Sequence, residues 1–116
     1  MEKVTGIGGV FIRSSDPDAL AAWYTTHLGI DTGMSVWAQP AGPTVFAPFR
    51  KESDYFPTSQ QVMLNLRVAD MDAMTAQLRA AGIAVETRSE WDEPEIGRFA
   101  RIHDPDGNAI ELWEPA

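Results

Sequence analysis

Alternating apolar and polar positions near the C-terminus predict two β-strands, over residues 98–104 and 108–114. The sequence Asp104-Pro105-Asp106-Gly107 lies between them and is a strong turn signal, because proline presets φ and glycine accepts a positive φ. In the second strand Ile110 and Leu112 share one face, and the opposite face carries Ala109, Glu111 and Trp113. One face is therefore aliphatic, whereas the other combines a carboxylate with an indole.

Two further segments have apolar residues at helical spacing, and each follows a capping aspartate. The first helix is predicted to begin at Asp16-Pro17 and to end at Gly29. The second is predicted to begin after Asp70 and to end at Gly82. Alternating or apolar runs predict additional strands over residues 7–12, 33–39, 43–49, 61–68 and 84–88.

The order of these elements repeats along the chain. Residues 13–19 match residues 67–73, and the helices that follow end at corresponding positions. We therefore expect one domain over residues 1–116, built from module one (about 5–50), a linker (about 51–59) and module two (about 60–116). Superposing the modules places eight apolar residues on one sheet face, as expected of a face covered by helices: Val10, Ile12, Val45, Ala47, Leu64, Leu66, Ile110 and Leu112.

The other face mixes aromatic, amide and charged residues, which suits either a concave ligand pocket or an ordinary exposed surface. The net charge of −8 makes nucleic acid an improbable partner and favours a cationic ligand, although acidic charge also serves solubility. The absence of cysteine excludes thiolate nucleophiles and thiolate metal ligands. With no apolar run of membrane-spanning length and no apolar signal core, we expect a soluble, cytoplasmic protein without a membrane partner.

The motifs Asp16-Pro17-Asp18, Leu28-Gly29 and the terminal Asp104-Pro-Asp-Gly-Asn108-x-Ile-Glu-Leu resemble those of the vicinal oxygen chelate superfamily. This superfamily contains glyoxalase I, bleomycin-resistance proteins and extradiol dioxygenases. The resemblance implies an α+β fold in which two βαβββ modules form a curled mixed sheet that makes a cup. It also implies a homodimer, in which the modules sometimes pair by exchange between chains.

The resemblance further implies four positions at which family enzymes hold one divalent metal. In this chain those positions carry Gly9, Phe46, Met63 and Glu111. Glycine and phenylalanine have no donor atom, and a thioether is a poor ligand for Ni²⁺, Zn²⁺, Fe²⁺ or Mn²⁺. We therefore predict no metal and no cofactor, although a divalent metal completed by other residues stays open.

We expect a metal-independent binding protein for a small molecule that is cationic or aromatic. The residues predicted to contact the ligand are Phe11, Phe46, Met63, Asn65, Trp91, Glu111 and Trp113. The alternative is a lyase, isomerase or dioxygenase that uses Glu111 as a base or metal ligand. A third possibility is a structural or regulatory dimer with a vestigial cup. Glu111 could instead be paired with an arginine, and the candidates are Arg13, Arg67 and Arg101.

Overall fold

The helices and strands form an α+β arrangement, which confirms the predicted fold class. The computed structural model describes residues 1–33 and 35–116. In chain order its elements are α1 (Pro17–Leu28), β1 (Leu64–Arg67), α2 (Met71–Ala80), a short 3₁₀ helix (Ser89–Trp91), β2 (Gly97–His103) and β3 (Ala109–Pro115). The sheet order is β1-β3-β2, with β1 parallel and β2 antiparallel to β3.

Both helices begin where the capping aspartates predict. The Asp16 side chain accepts a hydrogen bond from the Ala19 backbone N–H at 3.2 Å, and Pro17 occupies the first turn. The Asp70 side chain accepts one from the Ala73 backbone N–H at 3.0 Å. α1 ends at Leu28 and is capped by Gly29, whose φ of 69° is the left-handed conformation that glycine adopts readily.

The predicted turn between β2 and β3 is also confirmed. The Gly107 backbone N–H donates to the Asp104 carbonyl at 2.9 Å, and Gly107 has a φ of 85°. The buried Asp104 carboxylate accepts from the backbone N–H groups of Asp106 and Asn108. It also accepts from the Tyr24 hydroxyl at 2.7 Å, so this hydrogen bond ties α1 to the hairpin.

The aliphatic side of the sheet packs against both helices. Ile110 and Leu112 are fully buried, as their alternation predicts. Met71 and Leu78 of α2 and Leu20 of α1 pack into the same cluster. Burial of this cluster, which joins α1 and α2 to the sheet, supplies the main apolar contribution to folding.

The strands predicted for module one are the main departure from the sequence analysis. Within the described parts of residues 7–12, 33–39 and 43–49, no strand pairing is found, and residue 34 lies outside the described residues. Residues 84–88 contribute only an isolated bridge, between Glu86 and Arg101. Four of the eight residues predicted to share a buried face are consequently exposed: Val10, Ile12, Val45 and Ala47.

The physical reason is that alternation predicts the tendency to form a strand, but a strand exists only where a neighbouring edge satisfies its backbone groups. In the single chain, module one contributes α1 to the core and leaves its apolar segments without such an edge.

Over the described ranges, neither helix has the length and apolar character needed to cross a bilayer.

Candidate functional site

The candidate site is the face of the sheet opposite the helices, which we call the polar face. It consists of the side chains that alternate with the core residues on β1, β2 and β3: Asn65, Arg67, Phe99, Arg101, Glu111 and Trp113. The register places Asn65 beside Glu111 on one side and Arg101 beside Glu111 on the other. Glu111 therefore lies at the centre of this face.

Glu111 is held by two neutral hydrogen-bond donors. One carboxylate oxygen accepts from the Asn65 amide at 2.7 Å, and the other accepts from the Tyr55 hydroxyl. Only 9% of Glu111 is exposed. Burial and the hydrogen bond to Glu111 raise the pKa of Tyr55 to about 12, so the phenol stays protonated and donates at neutral pH.

The Arg101 guanidinium lies over the Tyr55 ring, with its carbon 5.1 Å from the ring centroid. Its terminal nitrogen donates to the Tyr55 carbonyl at 2.8 Å. The Arg101 Nε atom is buried and has no hydrogen-bond partner among the described residues. Tyr55 therefore contacts both charged groups, the guanidinium through its ring and the carboxylate through its hydroxyl.

Arg67 connects the polar face to module one. Its guanidinium donates to the carbonyls of Pro43 at 2.6 Å and Pro40 at 3.0 Å, and to the Thr44 hydroxyl at 3.2 Å. A Cβ atom at Gly42 would lie 2.9 Å from Arg67 Nε, so glycine permits this close approach. These bonds attach residues 40–44 to the end of β1.

Trp113 lies on the polar face beside Phe99 and is only 8% exposed. Its indole N–H donates to the Ile96 carbonyl at 2.9 Å, and its ring lies parallel to Phe99 with the centroids 6.2 Å apart. The half-buried Trp91 lies earlier in the chain, in the short 3₁₀ helix, and the Arg88 guanidinium is 5.3 Å from its ring centroid. Because the Trp113 N–H already donates to Ile96, a ligand could contact Trp113 only through its ring.

The structure brings together only some of the residues predicted to bind a ligand. Asn65, Glu111 and Trp113 share the polar face. Met63 is half-buried just before β1, whereas Phe11 and Phe46 are 93% and 88% exposed. Because both phenylalanines are exposed, they do not line a pocket in the single chain, and their contact with a ligand stays a prediction.

Tyr55 is absent from the predicted site residues, because residues 51–59 are predicted to be a linker. An available signal was the aromatic pair Tyr55-Phe56 within this otherwise polar stretch. Phe49 packs against both rings, with centroid distances of 5.6 and 5.7 Å. Among the described residues, none of the three arginines considered as partners of Glu111 pairs with it. Arg101 and Arg67 make the contacts described above, and Arg13 is exposed.

The donor set around Glu111 does not fit a divalent metal. The Glu111 carboxylate is accompanied by an amide and a protonated phenol. Over residues 1–33 and 35–116, no group of three or more acidic or histidine side chains is placed to hold a metal ion. Zn²⁺ and similar transition metals are held by three or four convergent protein ligands such as imidazole and carboxylate groups, and one carboxylate does not provide them.

Two surface depressions lie beside α1, away from Glu111. One is lined by Arg13, Ser14 and Ser15 together with the turn residues Pro105 and Asp106. The other follows α1 along Leu20, Trp23 and His27. No polar-face residue lines either depression.

The model of the glyoxalase-like domain family matches residues 9–113 of this chain. The chain belongs to this glyoxalase-like family. A solved structure of TnmS3, an antibiotic binding protein from Streptomyces sp. CB03234, is 28% identical, covers 100% of both chains and has a TM-score of 0.66. A glyoxalase/bleomycin resistance protein from the same organism is 31% identical, covering 86% of this chain and 92% of its own, with a TM-score of 0.54.

Lactoylglutathione lyase from Agrobacterium tumefaciens shares the fold of this glyoxalase-like chain. It is 20% identical, covers 97% of this chain and 96% of its own, and has a TM-score of 0.63. The comparison with curated proteins gave no significant match. The family resemblance expected from the Asp-Pro-Asp and terminal motifs is therefore confirmed.

Proposed function

We propose that this glyoxalase-like protein binds a small molecule at the polar face without a metal, and that Glu111 receives a cationic group of that ligand. The observation that carries the proposal is a buried carboxylate whose donors, Tyr55 and Asn65, are both neutral. A buried carboxylate without a directly paired cation is costly. A cationic ligand group would compensate this charge, and the net charge of −8 would attract it.

The relatives support a binding function of this kind. TnmS3 is described as an antibiotic binding protein and aligns with the whole chain. We extend that description to this protein as a proposal: a ligand-sequestering role, carried out in the cytoplasm. The aromatic rings of Trp113 and Phe99 would then contact the flat or apolar part of the ligand.

We further propose that two chains form a homodimer that completes the cup. The argument is that Val10, Phe11, Val45 and Phe46 are 55%, 93%, 71% and 88% exposed, in segments whose alternation is typical of strands. Pairing these segments with a second chain would satisfy their backbone groups and bury their apolar side chains. In this arrangement module one acquires its predicted strands and brings Phe11 and Phe46 to the ligand.

The second candidate is an enzyme of the lyase, isomerase or dioxygenase type with Glu111 as base. The observation in its favour is the hydrogen bond from Tyr55, a potential proton donor, to the same carboxylate. This candidate predicts that Glu111→Gln abolishes turnover of an identified substrate while the fold is retained. The binding proposal predicts loss of affinity instead.

The test is a thermal unfolding screen of organic cations in the presence of a metal chelator. The probe is benzamidinium, a flat aromatic cation, and benzamide is its neutral analogue. We expect benzamidinium, but not benzamide, to raise the melting temperature, since a ligand at about 100 times its Kd adds about 2.7 kcal/mol of stability. The shift should disappear in Glu111→Gln and persist in Glu95→Gln, which removes an exposed carboxylate. Equal shifts in both variants would contradict the assignment of the site.

A further inference from the structure

Arg101 and Glu111 lie directly opposite each other on the antiparallel strands β2 and β3. Side chains at opposite positions share one face and are close enough to interact, and opposite charges there normally attract. The Arg101 guanidinium nevertheless donates to the Tyr55 carbonyl at 2.8 Å. The Glu111 carboxylate accepts from Tyr55 and Asn65 instead.

The Tyr55 side chain contacts both of these charged groups. Its ring lies against the Arg101 guanidinium at 5.1 Å, and its hydroxyl reaches Glu111. The buried Arg101 Nε–H finds no acceptor among the described residues, although a carboxylate stands at the facing position. A buried donor without a partner, beside a facing carboxylate, calls for a physical explanation.

We infer that Tyr55 is a positioning residue whose ring keeps Arg101 from pairing with Glu111, so that the carboxylate stays available to a cationic ligand. This inference rests on the proposed function. The Tyr55 hydroxyl does not block the site, because a carboxylate has about four acceptor positions and Tyr55 and Asn65 use two of them. Specificity for a cation therefore depends on a residue outside the sheet.

Residues on both sides of Tyr55 keep it in place. Phe49 packs against its ring, and the Tyr55 backbone N–H donates to the Ser53 hydroxyl at 3.2 Å. The Gln60 amide both donates to the Ala109 carbonyl and accepts from the Ala109 N–H, each at 2.9 Å. These contacts anchor the segment from residue 49 to residue 60 over the polar face.

The test compares the affinity of four forms of the full-length chain for benzamidinium. Tyr55→Phe keeps the ring and loses only the hydroxyl, so its affinity should stay well above that of Tyr55→Ala. Tyr55→Ala removes the ring, so Arg101 pairs with Glu111 and the affinity should fall by about tenfold or more. The double variant Tyr55→Ala/Arg101→Met should regain most of that affinity, because no guanidinium is left to occupy the carboxylate. A double variant as weak as Tyr55→Ala would overturn the inference.

A second readout does not need a ligand. The Nε–H proton of Arg101 in nitrogen–proton correlation spectra should shift downfield in Tyr55→Ala, where it would donate to a carboxylate, and stay near its wild-type position in Tyr55→Phe. An unchanged resonance in Tyr55→Ala would overturn the inference, even if the wild type binds benzamidinium. Conversely, a downfield shift in Tyr55→Ala together with no benzamidinium binding by the wild type would support the spacing role and contradict the proposed cationic ligand.

Discussion

Replacing Tyr24 with phenylalanine tests the contact that joins α1 to the β2–β3 hairpin. The substitution removes the hydroxyl that donates to the buried Asp104 carboxylate at 2.7 Å and leaves the ring in the core. A hydrogen bond to a charged group contributes about 1.5–3 kcal/mol. Asp104 would keep three donors, from the Asp106 backbone and from the backbone and side chain of Asn108, so the loss should be at the low end, about 1.5 kcal/mol.

The assay is urea unfolding at one fixed protein concentration, because association would make the apparent stability depend on concentration. A loss of this size corresponds to a decrease of about 6 °C or more in the melting temperature. The control is Thr25→Val, which removes the exposed hydroxyl of the next residue of α1 together with its hydrogen bonds to the Ile30 carbonyl and the Thr32 hydroxyl. Because water can replace exposed hydrogen bonds, this variant should lose less stability than Tyr24→Phe. If Tyr24→Phe and the control unfold alike, the hydrogen bond to Asp104 does not secure α1 as described.

The remaining predictions concern pH, backbone conformation and helix capping. Burial and hydrogen bonds to carboxylates raise the pKa of both tyrosines, to about 12 for Tyr55, whereas tyrosines in the unfolded chain ionise near pH 10. The contribution of these two residues to the free energy of unfolding should therefore be complete below about pH 10 and should be lost as the pH rises further. The measurement is an ultraviolet titration of the folded protein, and a phenolate step near pH 10 would contradict this prediction. Gly97→Ala should cost about 3 kcal/mol in urea unfolding, since φ is 134° and a Cβ would lie 2.1 Å from a carbonyl oxygen of β3. Gly107→Ala, at φ 85° with no atom within 4 Å, should cost only about 1 kcal/mol, and equal losses would refute the steric argument. Asp70→Ala should destabilise the protein by about 1 kcal/mol by removing the cap of α2, and an unchanged urea midpoint would count against that role.

The elements that the sequence predicted well are those specified by local chemistry. Asp16 and Asp70 cap helices because their side chains reach backbone N–H groups three residues ahead. Gly107 closes the hairpin because its φ is positive. Ile110 and Leu112 are buried as their alternation predicts. None of these assignments depends on knowing the distant partner of a residue.

The strands of module one could not be predicted from their own pattern. The alternation around Val10 and Val45 describes a segment suited to a sheet but carries no information about which edge it pairs with, or whether that edge is in the same chain. In the single chain both residues are exposed. The same limitation applies to the expected contacts of Phe11 and Phe46, which depend on where these segments are placed.

The sequence predicts which strand residues share the polar face of the candidate site, but it does not predict which loop residue contacts them. Glu111, Asn65 and Trp113 follow from strand alternation and parallel register. Tyr55 reaches Glu111 from a position 56 residues earlier, through a segment without regular secondary structure. Composition marks such a segment as irregular, and only the folded backbone determines which side chain its aromatic residue contacts.

The most direct test of the central claim is calorimetric titration of benzamidinium into metal-stripped protein. We predict saturable binding by the wild type and by Glu95→Gln in the presence of a chelator. The affinity of Glu111→Gln should be lower by about tenfold or more, because its neutral amide no longer compensates a cation. Binding that appears only after a divalent metal is restored, or that is equal in Glu111→Gln and the wild type, would contradict the account.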